Sequence, residues 1–272
     1  MLVPETLIDL ERIAVDLARL AGAEIQGALG STLAVRYKGA DPEATLFKDP
    51  VSEVDQRVEE MLRARLADSY PEHDIVGEEI DERPGRDHAT VWVIDPIDGT
   101  ANFVNGFPLF SASIGVLHEG VPVVGALWCS TSHKLRPGVY HAREGGPLMF
   151  DDEPTAVVRD PGVRRRLGGD PEFLKDAALP WDTRKTGSAA IECAFVAAGL
   201  LQVARFATPN VWDVGGGLVL VRAAGLEARH RPGDAWEPLD RLPVPEPDKP
   251  AWRGPVVIGE ADAVERLCRH LG

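Results

Sequence analysis

Apolar residues recur at helical spacing over residues 6–28, where Leu10, Ile13, Leu17 and Ala21 share one face. Thr6 with Asp9 reads as a capping box, so an amphipathic helix is predicted there. Val54, Val58, Leu62 and Leu66 follow at steps of four, after Ser52 and Asp55 and before Pro71, and predict a second helix. IVGEE then reads as a short strand running into acid. From 91 to 128 the pattern changes to strand-length apolar runs, VWVI, FSASIGVL and VPVVGALW, with HEG as a tight turn between the last two. Residues 129–185 are rich in glycine, proline and charge and read as short strands, loops and one helix. SAAIECAFVAAGLL is a buried helix capped by Ser188, QVARFA a strand, and WDVGGGLVLVRAAG a helix ending at Gly225 despite three consecutive glycines. Seven prolines over 231–255 imply loop, and VVIG with EADAVERLCRHLG close the chain as strand and helix.

No internal repeat is present. Strands and helices are partly segregated, so stacked layers of helix and sheet fit better than strict βαβ winding. A boundary near residue 185 divides the chain into an N-terminal α+β part, 1–185, and a C-terminal α/β part, 186–272.

Composition narrows the function classes. The chain has 272 residues, 44% of them apolar and 26% charged, and a net charge of −14. A surface this acidic repels a nucleic-acid backbone, and the basic run VRRRL (163–167) reads as a solvated face. No apolar run reaches the length of a membrane span, and the N-terminus lacks the basic start and apolar core of a signal peptide. Cys129, Cys193 and Cys268 are an odd number with no CxxC pair, which predicts reduced thiols and a cytoplasmic setting.

The candidate chemistry is carboxylate chemistry. Asp49 precedes the second helix, Glu78 ends IVGEE, Asp95 and Asp98 lie in IDPIDGT, and Asp213 lies in VWDVGGG. Hard oxygen ligands without His or Cys suit Mg²⁺ or Mn²⁺ rather than zinc. Pro96 fixes the backbone so that Asp95 and Asp98 can converge and leaves the Ile97 carbonyl as a further ligand. Gly99 and Thr100 offer backbone N–H groups at a helix start, an anion site beside the cations. The register of an aspartyl-phosphate loop, D-x-D-G-T, does not fit, because Pro96 stands where the first carboxylate would be needed. No G-x-S-x-G, P-loop or H-E-x-x-H motif is present.

WVIDPIDGTANFVNGFP resembles the signature of the inositol monophosphatase family of Mg²⁺-dependent, lithium-sensitive phosphatases. DPVSEVD, IVGEE, RKTGSAA and WDVGGG are similar to the family's other motifs, in the same order. The resemblance implies a five-layer α-β-α-β-α sandwich of the sugar-phosphatase type, a homodimer and a small phosphorylated substrate. It implies that Glu78, Asp95 and the Ile97 carbonyl hold one metal and that Asp95, Asp98 and Asp213 hold a second. Asp49 with Glu78 would border a third, and Asp49, Glu78 and Thr100 would help activate water. The amides of Gly99 and Thr100 would grip phosphate, and Asp98, Ala189 and Phe206 would meet the substrate. Phe206 stands, by a gap-free count back from Asp213, where inositol phosphatases carry a glutamate. An aromatic ring there predicts weak turnover of inositol 1-phosphate, unless Phe206 points into the core. Histidinol phosphate, fructose 1,6-bisphosphate and phosphoadenosine phosphate are then alternative substrates. A non-catalytic regulatory member would be expected to lose metal carboxylates, and this chain keeps them.

Overall fold

A computed structural model of the chain describes residues 2–31, 33–37, 50–83, 87–155, 160, 162–169, 180–243, 252 and 254–272. Helix α1 runs Pro4–Ala28 and α2 runs Glu53–Ser69. The first begins earlier than the Thr6–Asp9 pair suggests. Val3 is its N-cap without a side-chain bond, and Pro4 occupies the first turn, where its fixed φ and missing N–H cost nothing. The second starts as predicted, with Ser52 and Asp55 forming a reciprocal capping box.

Strands β1 (Val35–Tyr37) and β2 (Pro50–Ser52) pair antiparallel, and β2 leads into α2. The large sheet has the order β3-β4-β5-β6-β7-β8-β9. Its members are His73–Gly77, Asp87–Asp98, Ser111–His118, Val121–Cys129, Gly138–Arg143, Met149–Phe150 and Glu153–Pro154. Only β3 and β4 pair in parallel; the other neighbours are antiparallel. A short helix, α3 (Thr100–Val104), follows β4 directly.

The small sheet is built from β10 (Arg166–Gly169), β11 (Trp181–Arg184), β12 (Val203–Phe206), β13 (Glu227–His230), β14 (Glu237–Pro238) and β15 (Val256–Gly259), in the order β11-β10-β12-β15-β13-β14. Two helices, α4 (Ala189–Ala197) and α5 (Val211–Ala223), lie between the sheets, and α6 (Ala261–Leu271) covers the far side of the small sheet. The helix expected within 129–185 is not among the described residues of that span, part of which lies outside them.

Packing follows the apolar faces. Leu10, Ala14, Ala18, Val58 and Leu62 from α1 and α2 share a cluster with Trp92, Ile94 and Ile114 of the large sheet. The opposite face of β4 gives Val91 and Val93 to a second cluster that also holds Val214, Leu218, Ala204 and Ile258. Val203 and Val257 pack with Val264 and Leu267 of α6. The result is the five-layer α-β-α-β-α arrangement. The three cysteines are buried and unpaired, as the spacing predicts. No described helix is long and apolar enough to cross a membrane.

The glycine run in α5 is explained by close approach. A Cβ on Gly216 would lie 2.9 Å from the Ile114 carbonyl oxygen of β5, and one on Gly217 would collide with Cys193 of α4. The helix is laid directly on the sheet, and this closeness brings its N-terminus, with Asp213, to the end of β4.

Candidate active site

Two features of β4 bring the carboxylates together. In a regular strand, residues three apart face opposite sides. Asp95 pairs with Ser113 and Asp98 with Ser111, so β4 carries one extra residue across this interval, a β-bulge. The bulge, with Pro96 inside it, turns both aspartates to the same cleft. The parallel register sets Gly77 opposite Ile94, so Glu78 leaves β3 beside Asp95. After Asp98 the chain turns sharply through Gly99, whose φ of +93° is left-handed, a conformation glycine adopts without steric cost.

The cleft is about 180 Å³ and is lined by Glu78, Asp95, Ile97, Asp98, Gly99, Thr100, Ala101, Gly187, Asn210 and Asp213. Seven of the predicted site residues therefore meet at one place. Asp213 sits in the first turn of α5, where its Oδ2 accepts the Asn210 N–H at 2.7 Å. Asp98 Oδ2 accepts from Ser188 Oγ at 2.6 Å and from the Ala190 N–H at 2.5 Å. That carboxylate thus occupies the N-terminus of α4, an end that attracts negative charge.

The electrostatics are those of crowded anions. Burial, then the charges of Glu78, Asp98 and Asp213, push the Asp95 carboxyl well above its ordinary range. Burial raises Asp98 to about 6, against the opposing bonds from Ser188 and Ala190, with the Glu78 charge adding to the rise. Burial and the Asp98 charge likewise raise Asp213. Asp95 Oδ1 is buried with no hydrogen-bond partner. Among the described residues no three such side chains are already closed round a point as a coordination shell. An all-oxygen donor set with an orphaned buried oxygen fits a hard divalent cation.

Thr100 Oγ1 lies 2.9 Å from Asp55 Oδ1 and 2.8 Å from the Ile97 carbonyl oxygen, with one hydrogen to donate. The other oxygen of Asp55 accepts the Ser52 N–H at 2.9 Å. Asp55 reads in the sequence only as a helix cap; the structure makes it also the partner of Thr100. The motif DPVSEVD was the available signal, because it holds two aspartates and not one. Asp49 lies outside the described residues. Asn102, also missed, donates from Nδ2 to the carbonyls of Leu109 (2.6 Å) and Thr186 (2.7 Å), tying α3 to the loop before α4.

Two predicted substrate contacts do not line the cleft. Phe206 is 2% exposed and belongs to the apolar cluster between the sheets; it does not line the cleft. The Ala189 side chain packs against the same cluster, while its backbone N–H bonds Asp98 alongside Ser188 and Ala190.

A layered sandwich with this acidic cleft belongs to a class of phosphatases, the hydrolases in which metal dependence is general. The chain is a member of the inositol monophosphatase family, whose model matches residues 7–259. A probable inositol 1-monophosphatase ImpA of Mycobacterium tuberculosis is 33% identical over 233 residues, 79% of this chain and 81% of that protein. A fructose-1,6-bisphosphatase/inositol-1-monophosphatase of Aquifex aeolicus is 31% identical, over 65% of this chain and 71% of its own. Among solved structures, the extragenic suppressor protein suhB of Bartonella henselae has the same fold, with a TM-score of 0.75 at 24% identity, covering 97% of this chain and 98% of that one.

Proposed function

We propose that the chain hydrolyses a small phosphate monoester of a polyol or sugar, using Mg²⁺ or Mn²⁺ held by Glu78, Asp95, the Ile97 carbonyl, Asp98 and Asp213. Asp49 would border a further, weaker ion. The observation that carries this reading is the convergence of four carboxylates on one cleft beside the first turn of α3, with Asp95 Oδ1 buried and unpartnered. Bound cations would neutralise charge on the phosphoryl oxygens and lower the pKa of water.

The chain's own groups supply the rest. The first-turn amides of α3 have no acceptor within the helix, and those of Gly99 and Thr100 are suited to hold phosphate oxygens. When the Ile97 carbonyl is engaged elsewhere, the Thr100 hydrogen goes to Asp55 Oδ1. The Thr100 oxygen then presents a lone pair to an attacking water and can take its proton as its own passes to Asp55. Burial raises the Asp55 carboxyl, despite hydrogen bonds from Ser52 and Thr100, which suits it to receive that proton. Ser188 and Ala190 hold Asp98 in place.

The lining supports a hydroxyl-rich leaving group. It includes Asn210 and Gly187 and no aromatic ring among the described residues, so the case for stacking on a planar group loses its residue, Phe206. Two relatives carry the names inositol 1-monophosphatase and fructose-1,6-bisphosphatase/inositol-1-monophosphatase, which agrees. The test is phosphate release from inositol 1-phosphate, fructose 1,6-bisphosphate, histidinol phosphate and phosphoadenosine phosphate, with Mg²⁺ and with chelator. Turnover of the first two with Mg²⁺ is expected. Preference for histidinol phosphate or the nucleotide overturns the polyol assignment, and no release from any substrate overturns the catalytic one.

A further inference from the structure

Glu59 and Arg63 of α2 do not line the cleft, yet they grip the backbone on both sides of Glu78. A Cβ on Gly77 would collide with the Glu59 carboxylate, so the residue before Glu78 rests directly on that group. The residue after it, Glu79, donates its N–H to Glu59 Oε2 at 2.8 Å. Arg63 donates from Nε to Glu59 Oε1 at 2.8 Å, from Nη2 to the Ile80 carbonyl at 2.6 Å and from Nη1 to the Glu82 carbonyl at 2.7 Å. The Glu59 side chain is fully buried and that of Arg63 is 12% exposed.

A buried ion pair on a helix is a poor way to gain stability, since desolvation offsets most of the attraction and apolar side chains would serve as well. Its value lies in direction. A guanidinium presents its donors in a fixed plane, and here that plane meets one carboxylate and two carbonyls of the segment that carries Glu78. The turn after β3 is therefore fastened to α2 instead of hanging from the end of a strand.

We propose that Glu59 and Arg63 are positioning residues that set the Glu78 carboxylate for cation binding. The proposal rests on the metal reading of the cleft. Outer groups that orient a metal ligand are worth about 10–100-fold in metal affinity or activity, and an effect of that order is expected here.

The test uses the whole chain, stripped of metal, titrated with Mn²⁺ and followed by the paramagnetic resonance of the free ion. Three variants are compared: Glu59→Gln, Arg63→Lys and, as a charge-matched control on the exposed face of α2, Glu60→Gln. Arg63→Lys keeps the ion pair and cannot span both carbonyls, so it carries the test if Glu59→Gln fails to fold. The expected result is a Mn²⁺ dissociation constant raised about 10-fold or more in the first two variants and unchanged in the control. The Mg²⁺ concentration for half-maximal phosphate release should rise in parallel, with the rate at saturating Mg²⁺ close to wild type. Lowered melting temperature with unchanged Mn²⁺ affinity overturns the proposal and leaves the pair a purely structural brace. A wild-type protein that takes up no Mn²⁺ overturns the metal reading itself, and is seen before any variant is made.

Discussion

Asp98 holds two jobs in one carboxylate: it lines the cleft and it caps α4 through Ser188 and Ala190. Asp98→Asn keeps an oxygen for the helix and removes a charge from the cleft. Phosphate release should fall at least ~10²-fold, as for loss of one electrostatic stabiliser elsewhere, while circular dichroism shows a folded protein. Phe206 gives the opposite kind of expectation. Phe206→Glu buries a charge in the apolar layer and should cost at least about 3 kcal/mol, measured by urea unfolding, with the substrate ranking unchanged. The carboxylates were legible in the sequence because each closes an apolar run and the residues between are special: a proline, a glycine, a threonine. Asp55 was not, since a capping role already accounted for it. Phe206 was misleading because a gap-free count fixes a position along a strand but not the face it presents.

At the scale of elements, α5 shows why a local propensity can mislead. On an isolated helix, glycine to alanine is worth about 1 kcal/mol in favour of the helix. Gly216→Ala should instead destabilise by about 1–3 kcal/mol, because the new methyl group meets the Ile114 carbonyl of β5 and must push the layers apart. Denaturant unfolding of this variant decides the sign; a gain in stability would mean that α5 stands off the sheet. Helical spacing made α1 and α2 legible, and continuous apolar runs of element length made β5, β6 and α5 so. Strands β8, β9 and β14 are two residues each, too short for any period to register, and they exist because neighbouring strands offer them hydrogen bonds. The bulge in β4 was only half legible: Pro96 announced irregular backbone, whereas the one-residue shift against β5 is a property of the pairing.

Across the whole molecule, a net charge of −14 must coexist with binding an anion. Chelator should abolish phosphate release, and Mg²⁺ rather than zinc should restore it, as an all-oxygen ligand set requires. Charge also ties the layers together far from the cleft. Glu11 of α1 is buried against His141, 2.7 Å away, and Arg143 of β7. Burial alone would raise its carboxyl, but the bonds and charges of His141 and Arg143 win and hold it below the ordinary value of 4.5. A depressed carboxylate contributes stability above its unfolded pKa and loses it as the pH falls through the folded one. Glu11→Gln should therefore lower stability by about 2 kcal/mol at pH 7, and the gap to wild type should close in acid below pH 4.5. A gap that stays constant with pH would show that the contact works through shape and not charge.

The bond from the Ala190 N–H to Asp98 has a spectroscopic consequence. An amide in the first turn of a helix ordinarily exchanges its hydrogen with solvent quickly, having no carbonyl to hold it. This one is held by a carboxylate that also faces the cleft, so its exchange rate and its nitrogen chemical shift report on that carboxylate from behind. Ala190 is thus a built-in sensor: one resonance, observable without substrate or turnover, that should move whenever the charge on Asp98 is neutralised from the front.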